Sequence, residues 1–320
     1  MKLRMTVLVV LVWASALSVA DTVFIVVPNG LRYEGGNSYT FWPFLIQQTP
    51  AVPSMRYQQV YDASAFSAIT PPGAYLTRLF MRSSTNFPRG SFGSSTNVQI
   101  NFSTTSKAPD GLSPMFAENV GQDDTVMFGP APLQMGFTTI YFDCGSNCGE
   151  FPLTNAFWYN PSAGNLLLDV RIYGGEPAHP AAYGLDAQDV MGDSVSRIWS
   201  RSADASTATN VETLGVVTAF QFDPIPSLTN SLTTNAVVIS WPVQPTIFVL
   251  QWTDRLGTNP DWQPYTNSIA GGGLYHILTL PRDSLDGNRY FRLACPSCPP
   301  ISQPGGSTAV QALKKSSLAQ

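Results

Sequence analysis

Four cysteines, a group of acids and two histidines are the residues of this chain whose types could do chemistry. Cys144 and Cys148 sit in Asp143-Cys144-Gly145-Ser146-Asn147-Cys148-Gly149, and Cys295 and Cys298 in Cys295-Pro296-Ser297-Cys298-Pro299. Close pairs in an exported chain are expected to form two local disulfides. A four-thiolate zinc site is the rival, but the pairs lie far apart in sequence. Asp110, Glu118, Asp123 and Asp124 fall in one loop-rich stretch. Hard cations take six to eight oxygens, so calcium is the ion these four could hold, although no EF-hand spacing is present and a solvated acidic loop is the simpler reading. Asp169 and Asp193 could join them if the fold brings them near. His179 and His276 lack any nucleophile motif around them, and no Gly-x-Ser-x-Gly occurs. The glutamates after residue 20 (Glu34, Glu118, Glu150, Glu176 and Glu212) stand in no catalytic pattern. The expectation is therefore a protein that is not an enzyme.

Aromatics are the other candidates. Phe41-Trp42-Pro43-Phe44 and Phe157-Trp158-Tyr159 are dense clusters. Buried, they fill a core; exposed, Trp42 and Trp158 could stack on sugar rings.

The head of the chain reads as a signal peptide. Lys2 and Arg4 precede an apolar run from Met5 to Leu17, and Ser18-Val19-Ala20 has the small-x-small form of a cleavage site. Residues 1–20 are thus expected to be removed, leaving no membrane span and placing the protein outside the cell or at its surface. Charged residues are only 12% of the chain, against about 25% in typical domains. The formal charge of −4 becomes −6 without Lys2 and Arg4. An acidic, charge-poor chain is a poor match for nucleic acid or anionic lipid.

Strand signals dominate what must position these residues. Thr22 to Val27, Tyr75 to Met81, Asn97 to Ser103, Thr125 to Phe128, Thr138 to Phe142, Leu166 to Tyr173, Val195 to Ser200 and Val216 to Phe222 are apolar, β-branched or aromatic runs bounded by turn residues. Val98 to Phe102 alternates with period two, the mark of a half-buried strand. Helical periodicity is nearly absent. The reading is all-β: a large β-sandwich of jelly-roll type over residues 21–225, then a small immunoglobulin- or fibronectin-like sandwich over 228–294. Pro224-Ile225-Pro226-Ser227 marks the boundary, and Trp241, Trp252 and Trp262 are expected in the small core. Residues 295–320, rich in Pro, Ser, Gly and Gln, read as a disordered tail.

Ser240-Trp241-Pro242, Phe248-Val249-Leu250-Gln251, Asp261-Trp262 and Tyr290-Phe291-Arg292-Leu293 resemble a C-terminal β-sandwich module of exported proteins from Verrucomicrobia and related bacteria. Val27-Pro28-Asn29-Gly30, Arg56-Tyr57-Gln58-Gln59-Val60-Tyr61, Gln99 to Thr105 and Gly192 to Arg197 resemble uncharacterised exported β-rich proteins of the same bacteria. The resemblance implies export and a β-rich fold and says little about activity. The expected function is an exported, non-catalytic recognition module with polysaccharide or other surface proteins as partners and carbohydrate as the leading ligand. The alternatives are a self-assembling structural or adhesive protein, built through strand edges, and a polysaccharide hydrolase whose carboxylates are dispersed in sequence.

Overall fold

The computed structural model describes residues 22–44, 54–87, 91–137, 142, 149–174, 184–243, 248–266, 269–272, 275–281, 289–295 and 311–313. The first fourteen strands are β1 (Val23–Val27), β2 (Ser38–Thr40), β3 (Met55–Tyr61), β4 (Ala74–Met81), β5 (Ser91–Thr105), β6 (Thr125–Phe137), β7 (Gly149–Phe151), β8 (Phe157–Tyr159), β9 (Asn165–Gly174), β10 (Leu185–Asp189), β11 (Val195–Ser200), β12 (Asn210–Glu212), β13 (Leu214–Val216) and β14 (Thr218–Asp223). Six of them form an antiparallel sheet in the order β12-β11-β3-β9-β5-β6. A second sheet runs β1-β14-β4-β7, with β8 also on β4, and a third runs β13-β10-β2. Apolar side chains of the two larger sheets form one core: Leu76, Leu79, Met81 and Phe220 from one, Val98, Ile100, Phe102, Leu168 and Val170 from the other. Face-to-face antiparallel sheets sharing a core make a β-sandwich, so the all-β expectation holds.

Two strands expected to be short are long. The structure extends Asn97–Ser103 to the whole of β5 and Thr125–Phe128 to the whole of β6. Their pairing shifts register three times, and Gly129 sits at one of these irregularities with φ +75°. A Cβ there would lie 1.9 Å from the Val98 carbonyl oxygen, so only glycine fits. In the interior, Gln59 of β3 does a strand's work. Its amide donates to the Val216 carbonyl at 2.9 Å and accepts from the Val216 N–H at 2.8 Å, which ties β3 to β13.

The remaining strands are β15 (Thr229–Leu232), β16 (Ala236–Pro242), β17 (Val249–Thr253), β18 (Gln263–Pro264), β19 (Ala270–Gly272), β20 (Tyr275–Pro281), β21 (Arg289–Ala294) and β22 (Gln311–Leu313). They form two four-stranded antiparallel sheets, β15-β16-β20-β19 and β18-β17-β21-β22. Val237, Ile239 and Trp241 alternate inward on β16 and meet Leu250, Leu278, Leu280, Phe291 and Leu293. Three features differ from expectation. Tyr75 and Ala156 of the first sandwich belong to this second core, and Trp158 packs on it. Trp262 lies outside the core, where the Arg292 guanidinium covers its ring at 4.3 Å. Part of the expected tail is ordered: Gln311–Leu313 pairs with β21, because the β21 edge offers backbone partners that composition does not register.

Candidate functional site

The outer face of the six-stranded sheet carries a row of polar side chains. Period-two alternation sends Val98, Ile100 and Phe102 into the core and Gln99 and Asn101 outward; on β9 it sends Val170 and Ile172 inward and Asp169, Arg171 and Tyr173 outward. Register then aligns them. Asn101 pairs with Asp169 and Gln99 with Arg171, while on the other side of β9 Asp169 pairs with Gln58 and Arg171 with Arg56. Part of this face is roofed. Leu112 and Phe116 from the β5–β6 connection cover Val60, Leu167 and Ile198, and the Arg56 guanidinium lies 4.6 Å from the Phe116 ring centroid. Beside the roof the polar row is open, with the Arg171 side chain 35% exposed.

Asp169 is the floor of this row, 6% exposed. Its Oδ2 accepts from Arg56 Nη2 at 2.9 Å and from Gln58 Nε2 at 2.8 Å. Gln58 also donates to the Phe116 carbonyl and accepts from Asn119 Nδ2 at 2.9 Å. Oδ1 of Asp169 has no hydrogen-bond partner, with Arg171 Nε 3.9 Å away, and Arg56 Nε is likewise buried without one. Above this floor, Gln99 Nε2 donates to Asn101 Oδ1 at 2.8 Å, and Asn101 Nδ2 donates to Asp124 Oδ2 at 2.9 Å. Partial desolvation raises the Asp124 carboxyl above the ordinary carboxylate range. The Asn101 bond opposes that shift, and the charge of Asp169 adds to it.

The four carboxylates weighed as calcium ligands each accept a local hydrogen bond. Asp110 Oδ2 accepts from the Gly192 N–H at 2.7 Å, Glu118 from the Ser113 hydroxyl at 2.6 Å, Asp123 from the Thr104 N–H at 2.7 Å and Asp124 from Asn101. Among the described residues no group of three His, Cys, Asp or Glu is placed to hold a metal ion. Asp169 does come within electrostatic range of Asp124, and Asp193 within range of Asp110.

Trp42 and Trp158 are both partly buried among the protein's own rings. Trp42 lies 5.3 Å from Trp199 and packs on the first core; Trp158 lies 4.9 Å from Tyr75 and packs on the second. Their cluster neighbours Phe44, Phe157 and Tyr159 are core residues. His276, on β20, lies 5.2 Å from Trp241. His179, Cys144, Cys148 and Cys298 lie outside the described residues. Cys295 packs on the second core, and no described cysteine is free.

Sequence reasoning missed Gln58, Gln99, Asn101 and Arg171 as candidates. The signal was the alternation of β5 and β9, which marks their outward residues; the register that puts those residues side by side is tertiary.

Asp193 gives a pH test. Its Oδ2 is buried without a hydrogen-bond partner, and burial, opposed by the Val195 N–H bond, pushes its carboxyl up to about 6, with Asp110 and Asp189 adding charge repulsion. A folded-state pKa above the unfolded one means the protonated form favours folding. That contribution is complete below about pH 4 and is lost as pH rises through about 6. Asp193→Asn should therefore flatten the pH dependence of Tm between those values; an unchanged profile by calorimetry would show that Asp193 titrates normally.

No protein-family model matches the chain, and no curated protein does. Among solved structures it shows a likeness to a β-glucuronidase from Ruminococcus gnavus in complex with uronic deoxynojirimycin, with 8% identity and a TM-score of 0.13, covering 82% of this chain and 45% of that one. The chain thus spans less than half that structure's length, and a likeness at this TM-score carries no argument about either fold or activity. No helix among the described residues is long and apolar enough to cross a membrane.

Proposed function

We propose that this chain is an exported, non-catalytic carbohydrate-recognition protein whose ligand contact is the open part of the six-stranded sheet. The observation that carries this reading is the row Gln99, Asn101, Asp124, Asp169 and Arg171, planar polar groups aligned across neighbouring strands. Such groups bind paired sugar hydroxyls by cooperative hydrogen bonds, and a rigid sheet holds them without a large ordering cost. The contact thereby moves from Trp42 and Trp158, which the core engages, to this row and the outward-facing Tyr173. Export rests on the signal-like head of the chain, and the same compartment supports the local bridges Cys144–Cys148 and Cys295–Cys298.

A glycan array with the full chain after residue 20 tests this. Arg171→Ala and Gln99→Ala should each weaken binding of any positive glycan by about 1–2 kcal/mol, the worth of a hydrogen bond to a partly buried polar partner, and leave Tm within a few degrees. Binding unchanged in both would place the contact elsewhere.

One observation favours a second reading, a polysaccharide hydrolase. Neighbouring carboxyls in unlike surroundings are how acid and base roles are divided between two acids, and Asp124, raised by partial burial, lies within electrostatic range of Asp169. Release of reducing ends by the wild type, abolished by Asp124→Asn, would establish the enzyme and overturn the binding reading.

A further inference from the structure

The β3–β4 and β8–β9 connections meet and enclose a depression of about 320 Å³, at the lower end of the range of about 300–1,000 Å³ typical of ligand pockets. Both connections are pre-set. Asp62 Oδ1 accepts the Ser64 N–H at 2.8 Å and caps the 3₁₀ turn Ala63–Phe66; Asn160 Oδ1 accepts the Ser162 N–H at 3.0 Å and caps the turn Pro161–Ala163. Buried Phe66 and Ile69 give the depression an apolar base, extended by Pro71 and Pro161.

Its polar lining is uncharged. Ser64, Ser67, Asn160 and Ser162 supply it, and no ionisable side chain lines the depression. Among the described residues the three serine hydroxyls and the Asn160 Nδ2 have no partner within the protein. Asp62, at the entrance to the first turn, is the neighbouring charge, and it disfavours anions. An apolar base with hydroxyl and amide groups at the rim, and no charge, matches one chemistry: a ring with an apolar face and several hydroxyls.

We infer that this depression is a second binding site, separate from the sheet face, for one ring of a neutral saccharide. Two rigid turns hold it, so it needs no conformational change to receive the ring. The inference shares the ligand class of the sheet-face reading but none of its residues.

The test is a titration of the full chain by saturation-transfer NMR with methyl glucoside, methyl mannoside, methyl galactoside and N-acetylglucosamine, with glucuronate as the charged comparison. Binding of at least one neutral probe at millimolar concentration is expected, with glucuronate weaker. With the sheet face weakened by Arg171→Ala, Ser67→Trp, which fills the depression from an exposed position, should weaken the remaining binding at least tenfold. Ser162→Leu is the second filling variant if Ser67→Trp lowers Tm. Absence of binding by every neutral probe, equal binding by both filling variants, or preference for glucuronate would each overturn the inference. Loss with Arg171→Ala and not with the filling variants would assign the neutral sugar to the sheet face instead.

Discussion

Arg82→Ala is expected to destabilise the protein by about 3–5 kcal/mol, the cost of leaving one partner of a buried ion pair uncompensated. Arg82 is 0% exposed and Asp186 1%. Arg82 Nε and Nη2 both reach Asp186 Oδ2, at 2.9 and 2.7 Å, and Nη1 and Nη2 also donate to the carbonyls of Arg32 and Glu34. Asp186 in turn accepts from the Gly36 N–H at 3.0 Å. The pair therefore pins the segment between β1 and β2 onto β10, and Gly36 must be glycine because a Cβ would lie 2.0 Å from the Ala187 carbonyl oxygen. At about 2–4 °C per kcal/mol for a chain of this size, the Tm should fall on the order of 10 °C. A double-mutant cycle with Asp186→Leu measures the coupling. If the two single changes add without coupling, the pair is not the pin described. A double variant far milder than either single is the expected pattern, because it removes both charges together.

The second large effect lies where the two sandwiches meet. Tyr75, 2% exposed, has its ring 4.9 Å from Trp158 and 5.5 Å from Phe248. Trp241, 4% exposed, fills the same cluster from the other side. Truncating a large buried ring costs about 3–5 kcal/mol through lost transfer energy and the cavity left behind, so both Tyr75→Ala and Trp241→Ala should fall in that range. Tyr75→Ala carries a further expectation. Because its ring joins the second core to the first sandwich, the variant should split one unfolding transition into two in calorimetry. A fragment of residues 228–294 lacks Tyr75, Ala156 and Trp158 and should melt well below the same residues in the full chain. Identical melting of fragment and full chain would show that the contact contributes nothing to the small sandwich.

Much of the local structure was legible because strand formation leaves a local trace. Val98-Gln99-Ile100-Asn101-Phe102 announces its own two faces, and Leu166 to Tyr173 reads as a central strand, which β9 is, between β3 and β5. Short strands such as β2 and β12 escaped notice, since three residues carry too little periodicity to stand out. β3 escaped for another reason. It is buried along its whole length, yet it carries Arg56, Gln58 and Gln59, whose side chains hydrogen-bond to Asp169, Phe116 and Val216, residues distant in sequence.

The sequence by itself determined the fold class, the outward residues of the long strands and the lack of a nucleophile motif, because each depends on neighbours a few positions apart. The tertiary structure alone decided which outward residues meet. The acids from Asp110 to Asp124 are near one another in sequence, yet each carboxylate finds its own backbone or side-chain donor. Asn101 and Asp169 are far apart in sequence, yet lie side by side because β5 and β9 pair in one register. Strand register is a long-range property fixed by the core face, and a shift of one residue would send every side chain of a strand to the opposite face. Whether an aromatic cluster is a platform or a core is equally a matter of what packs against it, and for Trp42 and Trp158 that is Trp199 and Tyr75.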